Sequence, residues 1–284
     1  MTRLAGQRIA ITGAGSGLGR AIALAFARRG WRIAVSDRDL QGAQDTLTQV
    51  QAAGGQGFVQ ALDVTREADF AVLAERLQAE WGGVDVLINN AGVATAGTVI
   101  DSPLAQWQWV LDINLLGCVR GSRVLAPLLA AQRDGHIVNV ASFAGIANPP
   151  AMASYNVAKA GVISLSETLR AEMAPFDVGV SVACPAFFKT RLMETSQAQA
   201  QETAAEDAAD APAPQMGKIV GKLMDKASVT AEDVAEDIAR AVLGNRFMVI
   251  THPDARRQYH LKRLAPEMFF AMVRRSTAAF LSRR

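Results

Sequence analysis

Among 284 residues there are two cysteines, two tyrosines and three histidines. Cys118 and Cys184 lie far apart and neither sits in a Cys-x-x-Cys pair. That argues against a zinc knuckle and leaves reduced, buried thiols as the expectation. Charge of one sign is also scarce. The formal net charge is +2, too small an excess to imply nucleic acid as a partner. No apolar run approaches a membrane span. Met1 to Arg8 lacks the charged, apolar and small-residue succession of a secretory signal, so a cytoplasmic location is expected. His136 begins a strand-like run, and His252 and His260 stand near the end. None is placed beside an acid and a nucleophilic serine, which sets aside a Ser-His-Asp hydrolase. No His-x-x-x-His or carboxylate cluster suggests a metal.

What is abundant is apolar material: half the residues are hydrophobic and 20% are charged. That suffices for one large α/β domain or two small ones. Nearly continuous apolar runs at 8–12, 32–36, 57–62, 84–88, 136–141, 179–183 and 247–250 read as strands buried on both faces. Stretches such as 20–30, 67–81 and 154–174 carry apolar residues at three- and four-residue spacing, as helices do. The alternation predicts a single Rossmann-type, doubly wound α/β domain over residues 1–252. Its seven-stranded parallel sheet would be flanked by helices. Residues 191–228, rich in alanine and acids, read as an insert or lid. Residues 253–284 read as a basic amphipathic helical extension. Phe269, Met272, Val273, Ser276 and Phe280 share one face of it. Packing on the body or on another subunit is preferred there over lying on a membrane surface.

Thr12-Gly13-Ala14-Gly15-Ser16-Gly17-Leu18-Gly19 follows the first strand and opens a helix. Glycines let an anion approach main-chain N–H groups, and the helix presents its positive end. Asp37 ends the second strand. An acid there can bind both hydroxyls of an adenosine ribose and repel a 2′-phosphate, although Arg38 follows it. A helix N-cap at Asp37 or Asp39 is the other reading. Asp63, Asn89-Asn90-Ala91-Gly92, Ser142 and Pro185 each stand at or just past the end of a later strand. In a parallel sheet those ends form one rim, where ligands bind.

Tyr155 and Lys159 are four residues apart, on one helical face. An ammonium beside a phenol favours its ionised form, and a phenol so tuned exchanges a proton with an alcohol or ketone oxygen. Ser142 can hydrogen-bond the same oxygen. Phe143, Ile146, Met152, Phe187, Phe188 and Met193 flank the site and point to an apolar substrate.

Taken together, Thr12-Gly13-x-x-x-Gly17-x-Gly19, Asn89-Asn90-Ala91-Gly92, Asn114, Ser142 and Tyr155-x-x-x-Lys159 resemble the short-chain dehydrogenase/reductase family. The resemblance implies a nicotinamide-dependent oxidoreductase acting on an alcohol/ketone pair, with NAD preferred over NADP. It makes Asn114, Ser142, Tyr155 and Lys159 the catalytic tetrad. Tyr155 would be the general acid/base, and Asn114 would hold a water in a relay behind Lys159. It assigns Gly13, Ser16, Gly17, Leu18 and Gly19 to the pyrophosphate, and Asp37 and Arg38 to the adenosine ribose. Asp63 and Val64 would meet adenine, Asn90 and Gly92 the region beside the ribose. Tyr155, Lys159, Pro185 and Thr190 complete the cofactor set, with Thr190 at the carboxamide. Ser142, Phe143, Met152, Tyr155 and Phe187 would face substrate. The family also implies a homodimer or homotetramer that packs helices 104–132 and 154–174 between subunits. A silent cofactor-binding regulatory or interaction module is the alternative function. Pro185-Ala186 replaces the family's usual Pro-Gly, and the chain runs past the family's usual end.

Overall fold

In the computed structural model, Leu4, residues 6–186, Phe188, Ser196 and residues 229–281 are described, with side chains as far as Arg275. The first half alternates strictly: β1 (Arg8–Thr12), α1 (Gly17–Ala27), β2 (Arg32–Asp37), α2 (Leu40–Ala52), β3 (Gln56–Ala61), α3 (Glu67–Trp81) and β4 (Val86–Asn89). Then come α4 (Leu104–Leu111), a π-helical turn (Asp112–Leu116), α5 (Gly117–Gln132), β5 (Gly135–Val140), the one-turn α6 (Ala144–Ala147), α7 (Ala153–Met173) and β6 (Val178–Ala183). The described chain ends with α8 (Ala231–Leu243), β7 (Met248–Val249), α9 (Pro253–Leu264) and α10 (Pro266–Leu281). All seven strands run parallel in the order β3-β2-β1-β4-β5-β6-β7. The chain winds outward from β1 to β3, then returns to place β4 on the other side of β1. That reversal opens a cleft beyond the carboxyl ends of β1 and β4.

The pleat sorts the core. Ile9 and Ile11 face α1 and α8, where Ile22, Phe26, Ile238 and Val242 are buried. Ala10 faces the opposite layer of Phe70, Leu73 and Leu77 of α3 and Leu125 and Leu129 of α5. Two faces covered by helices explain why the central strands read as continuous apolar runs. Only the edge strand β3 mixes exposed and buried positions.

The helix expected over 104–132 runs its full length, with a π turn at Asp112–Leu116 inside it. That stretch is also long and apolar enough to cross a membrane by length and composition, contrary to the sequence reading. Half of it is buried in this fold, as a core helix would be. The extension is two helices, broken at Ala265-Pro266, because proline cannot continue the helix before it. Phe269 is fully buried while Met272 is exposed; Ser276 and Phe280 lie outside the described side chains. The 191–228 insert, Ser196 apart, lies outside the described residues.

At the end of the sheet opposite the cleft, Arg8 grips Asp85. Its Nη2 donates to Oδ1 at 2.6 Å, and its Nε and backbone N–H donate to Oδ2 at 2.8 Å. The Asp85 side chain is 3% exposed. Removing one partner of so desolvated a pair strands the other. Asp85→Ala should lower unfolding stability by about 3 kcal/mol in urea denaturation; a change under about 1 kcal/mol would show that solvent already screens the pair.

Candidate active site

The cleft is sutured at its base. Thr12 Oγ1 accepts from the backbone N–H groups of Asn90 (3.0 Å) and Ala91 (3.1 Å). The Asn90 amide donates to the carbonyls of Thr12 (2.9 Å) and Gly13 (3.0 Å). The glycine turn then passes too close to its neighbours for side chains. Gly13 has φ +63°, and a Cβ on it would sit 2.7 Å from Ala91 Cα. A Cβ on Gly19 would strike the Gly13 carbonyl and the Asn90 amide. The first turn of α1 holds no acid, and Ser16 makes no side-chain cap there. Its N–H groups therefore keep their affinity for an anion. Arg20 fastens this turn to α2, donating to Thr46 Oγ1 at 2.8 Å and to the Gly15 carbonyl.

Beyond the turn, Asp37 and Asp39 divide two tasks. Asp39 caps α2, accepting from the Gly42 N–H at 3.1 Å. Asp37 turns instead toward the glycine loop, accepting from the Gly15 N–H at 2.8 Å through Oδ2 and from the Asp39 N–H at 2.9 Å through Oδ1. The helix-cap reading thus belongs to Asp39, and a carboxylate stands at the β2 end beside the loop. Arg38 is exposed next to it. Asp63 closes its own turn, accepting from the Thr65 backbone at 2.9 Å and hydroxyl at 2.8 Å. Val64 is buried against the α5 side of the cleft.

On the other flank the π turn carries Asn114, fully buried. Its amide makes two 2.8 Å bonds to Val93, accepting from the N–H and donating to the carbonyl. That grip fixes the segment that follows β4. A Cβ on Gly92 would lie 2.9 Å from Asn114 Oδ1 and 3.4 Å from Lys159 Nζ, so these three residues converge. Asn114 positions backbone with its side chain.

Tyr155 and Lys159 lie on the buried stripe of α7, with Ser154, Ala158 and Val162. The Lys159 ammonium donates to the Val140 carbonyl at 2.9 Å and stands 5.8 Å from the Tyr155 ring centroid. Burial pushes the Tyr155 phenol up from its ordinary value, and contact with the Ser142 hydroxyl pulls it part of the way back. Burial likewise pushes the Lys159 ammonium down. Without a ligand the dry pocket thus disfavours both charges. The i,i+4 spacing leads one to expect Lys159 to lower the phenol; in this structure that pull comes from Ser142. Two thiols flank the lysine. Burial raises Cys118 to about 11 and Cys184 to about 12, against a smaller lowering by Lys159. Both stay protonated and inert near neutral pH.

The predicted residues are not all at the cleft. Met152 packs on Tyr155 and Ala94, with Ala96 and Ala144 beside them, forming an apolar wall around the phenol. Phe143 instead joins Ile146, Val162, Cys184, Ile250 and Ala255, where it cements α6 to the body and α9. Phe188 joins the cluster of α1 and α8. Phe187, Thr190 and Met193 lie outside the described residues. Ala186, in place of the usual glycine, has no positive φ and so carries no strain of that kind. The Pro185 carbonyl accepts from the Phe143 N–H at 2.9 Å. Sequence reasoning assigned no role to Thr12 or Arg20. Thr12 was visible as the hydroxyl closing β1, but the reach of Arg20 depends on how α1 lies over α2.

Residues 7–201 match the short chain dehydrogenase family. A "Probable oxidoreductase EphD" of Mycobacterium tuberculosis is 39% identical over 196 residues, 69% of this chain. The match spans only 33% of that longer protein. A "3-oxoacyl-[acyl-carrier-protein] reductase FabG" of Thermotoga maritima is 32% identical over 201 residues, 71% of this chain and 82% of the relative. Among solved structures, a short chain dehydrogenase/reductase from Burkholderia phymatum in complex with NAD superposes with TM-score 0.88 at 32% identity, covering 94% of this chain and 96% of the other.

The pair of hydrogen bonds between Asn114 and Val93 has a stability consequence. Asn114→Ala leaves a buried N–H and carbonyl without partners and should cost about 2 kcal/mol. Chemical denaturation measures this; an unchanged midpoint would mean the loop holds itself.

Proposed function

The chain belongs to the short-chain dehydrogenases, a family of oxidoreductases, and from that premise we propose that it interconverts a secondary alcohol and a ketone with a nicotinamide dinucleotide as redox partner. The observation that carries the reading is the convergence of Ser142, Tyr155 and Lys159 at the same rim as a glycine-rich turn on an uncapped helix end. A cofactor-binding module without catalysis has no use for that convergence.

The residues present suit the cofactor. The turn from Gly13 to Gly19, with Ser16 and Leu18, would hold the pyrophosphate. Asp37 would take the adenosine ribose and disfavour a 2′-phosphate, so NAD is preferred. Asp63 and Val64 would border adenine, and Asn90, Gly92, Lys159 and Pro185 the nicotinamide half, with Thr190 at the carboxamide. The bound nicotinamide would supply or accept the hydride.

Tyr155 moves the proton. In ketone reduction its neutral phenol, the form burial favours, donates to the carbonyl oxygen as negative charge develops there. Ser142, whose Oγ accepts the Ala144 N–H at 3.1 Å, would turn its hydroxyl hydrogen from the phenol to the same oxygen when substrate binds. In alcohol oxidation the phenolate takes the proton back. Lys159, anchored on Val140, places positive charge behind the phenol. Met152, Ala94, Ala96 and Ala144 give the substrate an apolar wall, which favours an apolar alcohol or ketone. A relative named as a 3-oxoacyl reductase supports the ketone side of the pair.

The assembly we propose is a homodimer or homotetramer through α4, α5 and α7. Leu104 of α4, Leu116 at the end of the π turn and Val157 of α7 are 72%, 43% and 49% exposed, apolar surface that a second subunit would cover. Light scattering should give a multiple of 30.2 kDa; a monomeric mass would refute it.

The reaction is tested with a panel of apolar alcohols and ketones run with NAD(H) and NADP(H) side by side. Wild type should turn over with NAD(H) favoured. Tyr155→Phe should retain cofactor affinity and lose turnover by at least about a hundredfold. The signs with pH are opposite: oxidation needs the phenolate and rises as pH passes the Tyr155 pKa, while reduction needs the phenol and falls. Full activity of Tyr155→Phe, or both directions moving alike with pH, would sink the mechanism.

A further inference from the structure

Residues 143–152 join Ser142 to α7, so their course sets where the Ser142 hydroxyl stands relative to the Tyr155 phenol. The segment cannot set that course alone. The α6 helix has a single turn, too short to be stable by itself. Asn148 and Ala151 have φ +51° and +59°, the left-handed region, which asparagine tolerates but alanine adopts only under constraint. Something outside must hold it.

Part of the hold comes from α7, where the Asn156 amide donates to the Pro149 carbonyl at 2.7 Å. Part comes from the loop after β4, where the Gly97 N–H donates to the Ala151 carbonyl at 2.9 Å. The rest comes from the C-terminal extension. Lys262 of α9 donates from Nζ to the Ile146 carbonyl, in the last turn of α6. With the Asn148 amide assigned so that its nitrogen faces the Ala144 carbonyl at 3.3 Å, the orientation in which both its polar atoms find partners, its oxygen accepts from the same ammonium at 2.9 Å. A cation at the carboxyl end of a helix also meets its dipole favourably. Lys262 is itself braced, with Nζ 5.8 and 5.7 Å from the ring centroids of Phe269 and Phe270 on α10. A second tether runs parallel: His252 Nδ1, at the start of α9, lies 3.4 Å from the Ala186 N–H, next to the Pro185 that receives Phe143.

We infer that Lys262 is a positioning residue for the reaction: by pinning Ile146 and Asn148 it fixes the Ser142–Tyr155 connection, and so the extension past β7 sets how the substrate oxygen is presented to the phenol. The inference rests on the proposed alcohol/ketone chemistry for its kinetic consequence and on geometry alone for the pin.

The full chain is compared with Lys262→Met, which keeps the stem against Phe269 and removes the ammonium, and with Lys262→Arg, which restores a donor. Asn148→Gly, tolerant of the same φ, removes the contact from the other side. Amide hydrogen exchange reads the pin without any need for activity. Peptides covering 143–152 should exchange at least tenfold faster in Lys262→Met, with peptides of α1 and α8 unchanged; unchanged exchange in 143–152 overturns the pin. Kinetics read the consequence. In Lys262→Met and Asn148→Gly alike, kcat should fall about tenfold and substrate KM rise, with NAD(H) affinity within twofold of wild type, and Lys262→Arg should recover most of the loss. Faster exchange with unaltered kcat and KM overturns the positioning role. Parallel losses in NAD(H) affinity and thermal midpoint also overturn it, since they mark general destabilisation. A wild type silent on every alcohol and ketone refutes the proposed reaction instead, and the exchange result then decides the pin by itself.

Discussion

Desolvation of a phenol and an ammonium at the carboxyl rim of the sheet is the constraint from which the rest of the site follows. Tyr155 and Lys159 are 7% and 4% exposed. In such surroundings a charge survives only on fixed dipoles and hydrogen bonds. The Val140 carbonyl provides one for the lysine, and the Ser142 hydroxyl one for the tyrosine. Both come from the end of β5 or just past it, which explains why the strand, its first loop and α7 act as a unit. A pocket that keeps the phenol neutral when empty holds the form needed to give a proton away. The fixed positive charge of an oxidised nicotinamide would make the opposite form accessible.

The same economy appears across the cleft. Asn114, Thr12 and Asn90 direct their side chains at backbone, and the cofactor side of the cleft is consequently lined by main-chain N–H groups and glycines. A rigid, side-chain-poor cradle loses little entropy when a dinucleotide enters. The buried series from Asn89 through Asn139 to Ser166, with bonds of 2.8 and 3.0 Å, ties β4, β5 and α7 together beneath it.

Much of this was legible in the sequence because a parallel sheet sends every strand's carboxyl end to one rim. Glycines after β1, Asp37 after β2 and Asn90 after β4 mark that rim wherever the strands stop, and errors of one or two residues in strand limits do not move it. The i,i+4 placement of Tyr155 and Lys159 follows from helical periodicity, whereas the spatial order of the strands appears only in the structure. What the sequence hides is direction. Phe143 lies beside Ser142 in the chain, yet its ring belongs to the cluster under α9. Asn114 is recognisable by its place in the order, but the π turn that aims it at Val93 has no signature in Asp112-Ile113-Asn114-Leu115-Leu116. Lys262 reads as one cation among the eight lysines and arginines of the last 29 residues, and only the path of α9 shows that it reaches Ile146. The break in the extension was readable at Pro266, since proline opens α10.

The central claim concerns the ionisation of one phenol, and it can be watched directly. With only Tyr155 and Tyr259 in the chain, ultraviolet difference titration of wild type against Tyr155→Phe isolates the phenolate of Tyr155. The account predicts a pKa above the ordinary tyrosine value in the free protein and a clear fall on saturation with NAD+. An ordinary value that ignores the cofactor would contradict it.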